Sequence, residues 1–304
     1  MHKLFSGALR VDRLSIEIAG LPAALDGTTI VQLSDLHFDG LRLSDQMLEA
    51  AIVASNQVIP DLVVLTGDYV TDDPSPIKEL ARRLQQLQSR LGVYAVLGNH
   101  DIYPNGSKEK VSLALDQAGI QVLWNQIAYP FGQELPIVGL ADLWSREFNP
   151  AIAMSQLDPS VPRIVLSHNP DSAVKLQNWR VDLQLSGHTH GGQIVIPGLG
   201  PVPTWYQTVR RSIPKQLRSW IPYMREEHHK VVKHWEWAQG FHYVGTNGLY
   251  VNRGLGTYPP GRLFCPPEVT VLTLVAQPND PAIASSRLAA SSRLQPKLVG
   301  RLSI

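Results

Sequence analysis

Leu33-Ser34-Asp35-Leu36-His37 ends the first strongly apolar segment of the chain, residues 29–33. Such a short, nearly continuous apolar run predicts a buried strand, and the glycine at position 40 predicts a loop after it. Asp35 and His37 are therefore expected on the loop that leaves the carboxyl end of a strand, where open α/β sheets place their ligand sites. A carboxylate and an imidazole two residues apart can bind one metal ion if the backbone turns between them.

The same arrangement, a predicted strand followed by polar residues, recurs four more times. These strand tips are Gly67-Asp68 after residues 61–66, Gly98-Asn99-His100-Asp101 after 93–97, His168 after 163–167, and Gly187-His188-Thr189-His190 after 181–186. Each residue alone has a structural explanation, because single histidines and Gly-Asp turns are common. Five such tips in this order exceed what chance explains, so the sequence predicts one functional cluster.

Helices are predicted between the first three of these strands, at residues 44–58 and 75–90. The resulting βαβαβ order, with right-handed crossovers, places three tips at one edge of a sheet and indicates the α/β class. The remaining predictions are a helix at 107–118, a helix from 170 to about 179, an edge or hairpin strand at 11–18, and strands at 120–123, 135–140, 241–244, 249–252 and 269–275.

Composition excludes several classes of protein. The formal net charge is +1 over 304 residues, so no global charge indicates a nucleic acid or another polyanion as partner. The single cysteine, Cys265, excludes an internal disulfide framework and fits a reducing compartment. The first ten residues do not read as a secretory signal, and no apolar stretch approaches the roughly 20 residues that span a bilayer. We therefore expect a cytoplasmic protein, with peripheral contact to the inner face of the membrane left open.

Residues 203–240 differ in composition from the rest of the chain. They interleave large aromatic residues with cations, namely Trp205, Tyr206, Trp220, Tyr223, Trp235, Trp237, Arg210, Arg211, Lys215, Arg218, Arg225, Lys230 and Lys233. This insertion is either a solvated helical excursion packed on the domain or an interfacial element at headgroup level. We expect one domain, residues 1–276, and a mobile tail, residues 277–304, with a short basic amphipathic helix at its end as an alternative.

The five tip motifs resemble those of the calcineurin-like metallophosphoesterase superfamily, over residues 28–275. The resemblance implies a sandwich of two sheets flanked by helices, with a βαβαβ core and with metals at the carboxyl-end edge of the strands. The Leu21-Pro22 turn and the segments 252–256 and 265–268 are similar to one bacterial branch. That branch holds membrane-associated phosphodiesterases and UDP-diacylglucosamine pyrophosphatases.

The resemblance also implies two divalent metal ions bridged by Asp68. The ligands of one ion would be Asp35, His37 and His190, and those of the other would be Asn99, His168 and His188. A carboxylate has two oxygens, which suits two cations about 3.5–4 Å apart. Imidazole, carboxylate and amide ligands suit Mn, Fe, Zn or Co, and the sequence does not select among them.

Two residues next to Asn99 are candidates for catalysis. His100 follows Asn99 directly, and neighbouring loop residues point in different directions, so we expect only Asn99 to bind metal. His100 would donate to a phosphoryl oxygen or protonate the leaving group, with Asp101 holding its tautomer. Asp142 either steadies the site or caps a turn, and Arg253 either reaches phosphate or forms a salt bridge within its loop.

These observations favour a dinuclear metal-dependent phosphoesterase that cleaves a phosphodiester or pyrophosphate bond by in-line attack of a metal-bridging hydroxide. A lipid or a nucleotide-sugar lipid is an open substrate class. The alternatives are a peripheral membrane-binding module with a vestigial metal site, and a nuclease or phosphomonoesterase of the same superfamily. The complete ligand set argues against the first, and the nearly neutral charge argues against a nuclease. The expected partners are a phosphoester substrate and, as an option, an anionic membrane surface, without nucleic acid.

Overall fold

The computed structural model describes residues 6–103, 105–214, 232–277 and 298–303. Predictions on residues 215–231 and 278–297 lie outside these ranges. The residues of the insertion that are not described include Trp220, Tyr223 and four cations. Within the described chain, no helix is both long and apolar enough to cross a membrane.

The strands form two large sheets and one short hairpin. In chain order they are β1 (Arg10–Ile18), β2 (Thr29–Leu33), β3 (Leu62–Leu65), β4 (Val93–Ala95), β5 (Ile120–Val122), β6 (Gln126–Ala128), β7 (Ile137–Gly139), β8 (Ile164–Leu166), β9 (Leu183–Ser186), β10 (Val195–Ile196), β11 (Gly200–Pro201), β12 (Gly240–Val244), β13 (Asn247–Val251), β14 (Glu268–Ala276) and β15 (Leu298–Ser303). The first sheet has the order β15-β1-β14-β2-β3-β4-β5, and the second has the order β12-β13-β9-β8-β7-β6.

The α-helices lie mainly between strands of the first sheet. They are α1 (Asp45–Gln57), α2 (Ile77–Leu84), α3 (Asn99–Ile102), α4 (Ser107–Gln117), α5 (Ala151–Met154) and α6 (Val202–Ser212), with 3-10 turns at Ala23–Leu25, Pro170–Val174, His190–Gly192 and Trp235–Trp237. The Ser44 hydroxyl caps α1 by accepting from the Met47 N–H, as the sequence predicts. Two predicted helices are shorter than expected, since α2 ends at Leu84 and the helix predicted from Pro170 is a 3-10 turn.

The predicted βαβαβ unit is confirmed. β2, β3 and β4 are adjacent and parallel, and α1 and α2 connect them. All four residues of β3 are buried, which fits its continuous apolar run. The carboxyl ends of the three strands therefore meet at one edge of the first sheet.

The position of β1 differs from the sequence prediction. β1 was expected at an edge or in a hairpin, but it lies inside the sheet, parallel to β14 and antiparallel to β15. The reason is that β14, from the far end of the chain, inserts between β1 and β2. β15 also lies within the segment expected as a mobile tail or a terminal helix, and it occupies six residues of that segment.

Apolar side chains of the two sheets face each other. The buried core between the sheets includes Ile30 and Leu272 from the first sheet and Ile164 and Leu185 from the second. A second core packs α1, α2 and α4 on the outer face of the first sheet, and a third covers the outer face of the second sheet. The expected two-sheet sandwich flanked by helices is thus confirmed.

Buried hydrogen bonds join the two sheets at the end that carries the polar tips. The Gln32 amide of β2 donates to the Ser186 carbonyl of β9 at 2.9 Å. The loop after β13 is tied to the loop after β2, because Leu255 and Gly256 donate backbone N–H groups to the carbonyls of Ser34 (3.0 Å) and Asp35 (2.7 Å). These bonds bring tips from both sheets to one place.

Candidate metal centre

Polar residues from five strand ends meet at one edge of the sandwich. They are Asp35 and His37 after β2, Asp68 after β3, Asn99 and His100 after β4, His168 after β8, and His188 and His190 after β9. All are buried except His100, which is partly exposed. The structure therefore places every residue that the sequence analysis named as a ligand in the same region.

Sharp backbone turns aim these side chains at one another. Five non-glycine residues of the centre have positive φ, namely Asp35 (51°), His37 (44°), Asp68 (56°), His188 (71°) and His190 (51°). The left-handed conformation costs a non-glycine residue roughly 1–2 kcal/mol. Such strain concentrates at functional sites, where the surrounding structure maintains it.

Two glycines allow the backbone to approach the carboxylates. A Cβ on Gly98 would lie 2.2 Å from Asp68 Oδ1, and a Cβ on Gly187 would lie 2.3 Å from Asp35 Oδ2. No side chain fits at either position without displacing a carboxylate. This explains why the tips begin with glycine at these two strands.

The first cluster of possible ligand atoms comes from Asp35, His37 and His190, whose ligand atoms lie within 4.8 Å of one another. His37 Nε2 is 3.2 Å from His190 Nε2, and His190 Nε2 is 3.5 Å from Asp35 Oδ1. The Asp35 carboxylate is held by the backbone N–H of His188, which lies 2.9 and 3.1 Å from its two oxygens.

The second cluster comes from Asp68, His168 and His188. His168 Nε2 is 3.1 Å from Asp68 Oδ2 and 3.1 Å from His188 Nδ1. Asp68 Oδ2 is also 3.5 Å from His37 Nε2, so the same oxygen lies between the two clusters. The other oxygen, Oδ1, accepts the backbone N–H of His100 at 3.0 Å. The two clusters thus meet at one oxygen of Asp68, whereas the sequence argument used both oxygens.

The nitrogen and oxygen atoms of the two clusters are arranged as expected for groups that bind cations. Imidazole nitrogens approach each other to 3.2 Å in the first cluster and 3.1 Å in the second, and their lone pairs repel unless a proton or a cation lies between them. The Asn99 amide oxygen is buried and has no hydrogen-bond partner among the described residues. Leaving such an acceptor unpaired costs about 1–3 kcal/mol, which a bound cation would remove.

Electrostatics favour neutral imidazoles at the first cluster. Burial lowers the pKa of His37 to about 3 and holds the pKa of His190 well below its usual value. Both rings are then in the neutral form that binds metal. At the second cluster burial opposes protonation of His168, but the Asp68 carboxylate outweighs burial and raises the pKa of His168 to about 10. A metal ion would replace that proton beside Asp68.

Backbone carbonyls orient two of the histidines. His168 Nδ1 donates to the Thr66 carbonyl at 2.7 Å, and His190 Nδ1 donates to the Gly256 carbonyl at 3.2 Å. Each bond selects the tautomer that leaves the Nε2 lone pair facing its cluster. Such outer hydrogen bonds are typical of histidines that bind metal.

His100 lies at the rim of the centre, but Asp101 does not hold it. His100 Nδ1 lies 3.1 Å from the Thr71 carbonyl, which selects its tautomer. The Asp101 carboxylate instead accepts the backbone N–H groups of Asp68 and Gly98 at 2.8 Å, and those of Tyr69 (2.8 Å) and Val70 (3.2 Å). The predicted role of Asp101 is therefore corrected: it fixes the loop that carries Asp68. The two side chains diverge because both residues lie on α3, where successive residues are about 100° apart.

Asp142 and Arg253 make contacts that bear on their predicted roles. Asp142 Oδ1 accepts the Trp144 N–H at 2.9 Å, so this carboxylate caps a turn, and its buried Oδ2 has no partner among the described residues. Arg253 forms salt bridges with Asp12 (2.8 Å) and Glu268 (3.1 Å). The structure thus shows salt bridges, but their partners lie on β1 and β14 and not within the loop of Arg253, where the salt bridge was predicted.

Two residues that contact His37 were missed by the sequence analysis. Thr71 Oγ1 is 3.4 Å and Tyr258 OH is 3.2 Å from His37 Nδ1. Thr71 follows Asp68 closely, so its position could have suggested it. Tyr258 lies 221 residues after His37 in a turn without a metal-binding motif, and no local signal indicates it.

Comparison with known proteins identifies similar chains. A family model described as calcineurin-like phosphoesterase matches residues 28–192. The chain is 33% identical over 268 residues to the uncharacterized metallophosphoesterase YkuE of Bacillus subtilis, with 86% of this chain and 83% of YkuE covered. It is 33% identical over 252 residues to the phosphodiesterase YaeI of Escherichia coli, with 81% and 82% covered. It is 27% identical over 325 residues to the UDP-2,3-diacylglucosamine pyrophosphatase LpxG of Chlamydia trachomatis, with 89% and 90% covered.

Proposed function

We propose that this chain, which belongs to the calcineurin-like phosphoesterase family, cleaves a phosphodiester or pyrophosphate bond at a centre of two divalent metal ions. The matches confirm the resemblance to the bacterial branch of phosphodiesterases and pyrophosphatases, and the chain is a metal-dependent phosphoester hydrolase. The observation that carries the finer proposal is the single Asp68 oxygen lying between two clusters of ligand atoms.

Seven residues would hold the ions. Asp35, His37 and His190 would bind one ion, Asn99, His168 and His188 would bind the other, and Asp68 would be shared. Nitrogen and oxygen donors of these types suit Mn, Fe, Zn or Co. The Asn99 oxygen has no hydrogen-bond partner among the described residues, which supports the place of Asn99 in the second set.

Two ions bound there would supply a Lewis-acid centre and an activated water as the nucleophile. His100 is the residue of this chain placed to move a proton, because it lies at the partly exposed rim beside Asp68. With Nδ1 held by the Thr71 carbonyl, the imidazolium form has its Nε2–H left to donate to the leaving oxygen. Donation returns His100 to the neutral Nδ1–H form, which the same carbonyl continues to hold.

Asp101 would act on the reaction through the backbone. Its carboxylate gathers four N–H groups from the loops after β3 and β4, and one of them belongs to Asp68. These bonds support the strained backbone at Asp68, whose φ is 56°. We therefore assign Asp101 a positioning role.

The nature of the substrate rests on the relatives. LpxG is named a pyrophosphatase of UDP-2,3-diacylglucosamine and YaeI a phosphodiesterase. A lipid-linked or nucleotide-sugar phosphoester is accordingly the first substrate class to test. A membrane module with a vestigial metal site is the less favoured alternative, because every ligand position carries a competent donor.

A metal-dependence assay tests this function. We expect the Mn-loaded protein to cleave bis(4-nitrophenyl) phosphate, to lose this activity after dialysis against EDTA, and to regain it when Mn²⁺ is added. A panel of lipid and nucleotide phosphoesters then identifies the preferred substrate class. Turnover that persists after elemental analysis finds no metal in the protein would contradict the proposal.

We also propose that residues 203–240 contact an anionic membrane surface. The C-terminal end of this segment lies next to the metal centre, since the hydroxyl of Thr189, between His188 and His190, donates to the Ala238 carbonyl at 2.5 Å. Trp205 on α6 is 38% exposed, which supports an interfacial role. Trp237 instead packs against a buried cluster of the domain, as the alternative of a packed excursion requires.

Co-sedimentation with vesicles separates these alternatives. We expect the protein to sediment with anionic vesicles at low salt and not with neutral ones, because each nearby cation contributes about 1 kcal/mol. Changing Arg210, Arg211, Lys215 and Arg218 to Gln should abolish this binding while aryl phosphodiester cleavage continues. A wild-type protein that ignores anionic vesicles would refute the membrane proposal and leave the hydrolase assignment intact.

A further inference from the structure

His37 is held differently from the other oriented histidines of the centre. Its Nδ1 faces two side-chain hydroxyls, Thr71 Oγ1 at 3.4 Å and Tyr258 OH at 3.2 Å. His168 and His190 donate to backbone carbonyls, which no side-chain substitution removes. The orientation of His37 therefore depends on groups that can be deleted one at a time.

Thr71 is itself fixed in place by a carboxylate. Its hydroxyl donates to Asp39 Oδ2 at 3.1 Å, and Asp39 Oδ1 accepts the backbone N–H groups of Leu41 and Arg42, each at 2.8 Å. A hydroxyl whose proton is committed to a carboxylate has only its lone pairs left for His37. It can therefore accept a hydrogen bond from His37 Nδ1–H, which leaves the Nε2 lone pair facing Asp68 and His190.

The second hydroxyl is positioned by ring packing. The Tyr258 ring lies with its centroid 5.0 Å from the His37 ring and 5.2 Å from the His190 ring. The Arg42 guanidinium lies 4.5 Å from the Tyr258 centroid and forms a salt bridge with Asp39. The two hydroxyls are thus joined through Asp39 and Arg42 into one support around His37.

We propose that Thr71 and Tyr258 are positioning residues that hold His37 as a ligand of one metal ion only, the ion bound by Asp35, His37 and His190. This inference rests on the proposed two-metal function. The other ion would be bound beside His168, whose Nδ1 is held by the Thr66 carbonyl at 2.7 Å, so we expect that ion to be retained when the two hydroxyls are removed. The two sites would therefore differ in how their affinities depend on surrounding side chains.

The test uses Thr71→Val, Tyr258→Phe, the double variant, and Thr71→Ser as the conservative control. Mn²⁺ binding to metal-free protein is measured by equilibrium dialysis with elemental analysis, and electron paramagnetic resonance distinguishes one ion from a coupled pair. We expect the double variant to lose about 10–100-fold in affinity for one ion, as for other lost outer hydrogen bonds, and to keep the other. Each single variant should lose less affinity than the double variant, because the remaining hydroxyl can still accept the His37 Nδ1–H. Thr71→Ser should bind both ions as the wild type does.

The outcomes separate this inference from the proposed function. If the wild type binds no pair of ions, the two-metal function itself fails. If the wild type binds two ions and the double variant binds both with unchanged affinity, the positioning role is wrong. Loss of both ions to the same extent in the double variant, or equal losses in Thr71→Ser and Thr71→Val, would also overturn it. Tyr258→Phe keeps the packed ring, so it provides the test if Thr71→Val does not fold.

Discussion

Replacing Asp68 with alanine is expected to remove both metal ions and to reduce turnover to the uncatalysed rate. The reason is the position of Oδ2, which lies 3.5 Å from His37 Nε2 and 3.1 Å from His168 Nε2, between the two ligand clusters. Without this shared anion, each ion loses one ligand and the two like charges lose the carboxylate between them. Elemental analysis of the purified variant and an aryl phosphodiester assay measure both effects.

Asp35→Ala is the matched control for this experiment. Asp35 belongs to one cluster only, so its loss should lower the metal content from two ions to one. Asp68→Ala loses the bond from the His100 N–H to Oδ1 but keeps the bond from its own N–H to Asp101, so we expect the variant to fold. An Asp68→Ala protein that retains two ions per chain would disprove the bridging role.

His100→Ala is expected to keep both metal ions and to lose turnover by about 10²–10⁴-fold on an alkyl phosphodiester, the usual cost of removing an acid–base group. Metal content should be unchanged, because the contact of His100 with Asp68 is made by its backbone N–H, which alanine retains. The kinetics and the metal analysis should be measured on the same preparation.

The leaving group supplies the internal control for His100. A nitrophenolate leaves without protonation, so the loss on nitrophenyl esters should be much smaller than the loss on alkyl esters. Equal losses on both substrates would mean that His100 acts by binding the phosphoryl group and not by protonating the leaving oxygen. Loss of metal from His100→Ala would instead make it a structural residue.

Local sequence signals were sufficient to predict most of the helices and strands. The apolar runs at β2, β3, β8 and β9 are buried on both sides, so their pattern reads directly as strands. β6 was not predicted because it has only three residues, Gln-Ile-Ala, which are too few to show a strand pattern. It lies at the edge of the second sheet. The placement of β1 was wrong because pairing with β14 is a contact between the two ends of the chain.

The roles of the residues at the strand tips were harder to predict than their positions in the fold. All seven proposed ligands lie at strand ends, where residue type and the preceding strand can be read together. Asp101 was assigned to His100 because the two are adjacent in sequence. The short helix α3 turns their side chains apart, and the Asp101 carboxylate binds backbone amides of two loops.

The sequence by itself determined the α/β class, the βαβαβ unit and the residue types that reach the metal centre, because these follow from short-range periodicity and from the order of the tips. Only the tertiary structure decided that the clusters meet at one Asp68 oxygen, and that His37 is supported by Thr71 and by Tyr258, 221 residues away. The physical reason is that hydrophobic patterning acts along the chain, whereas ligand geometry depends on side chains from separate loops converging to within about a hydrogen-bond length.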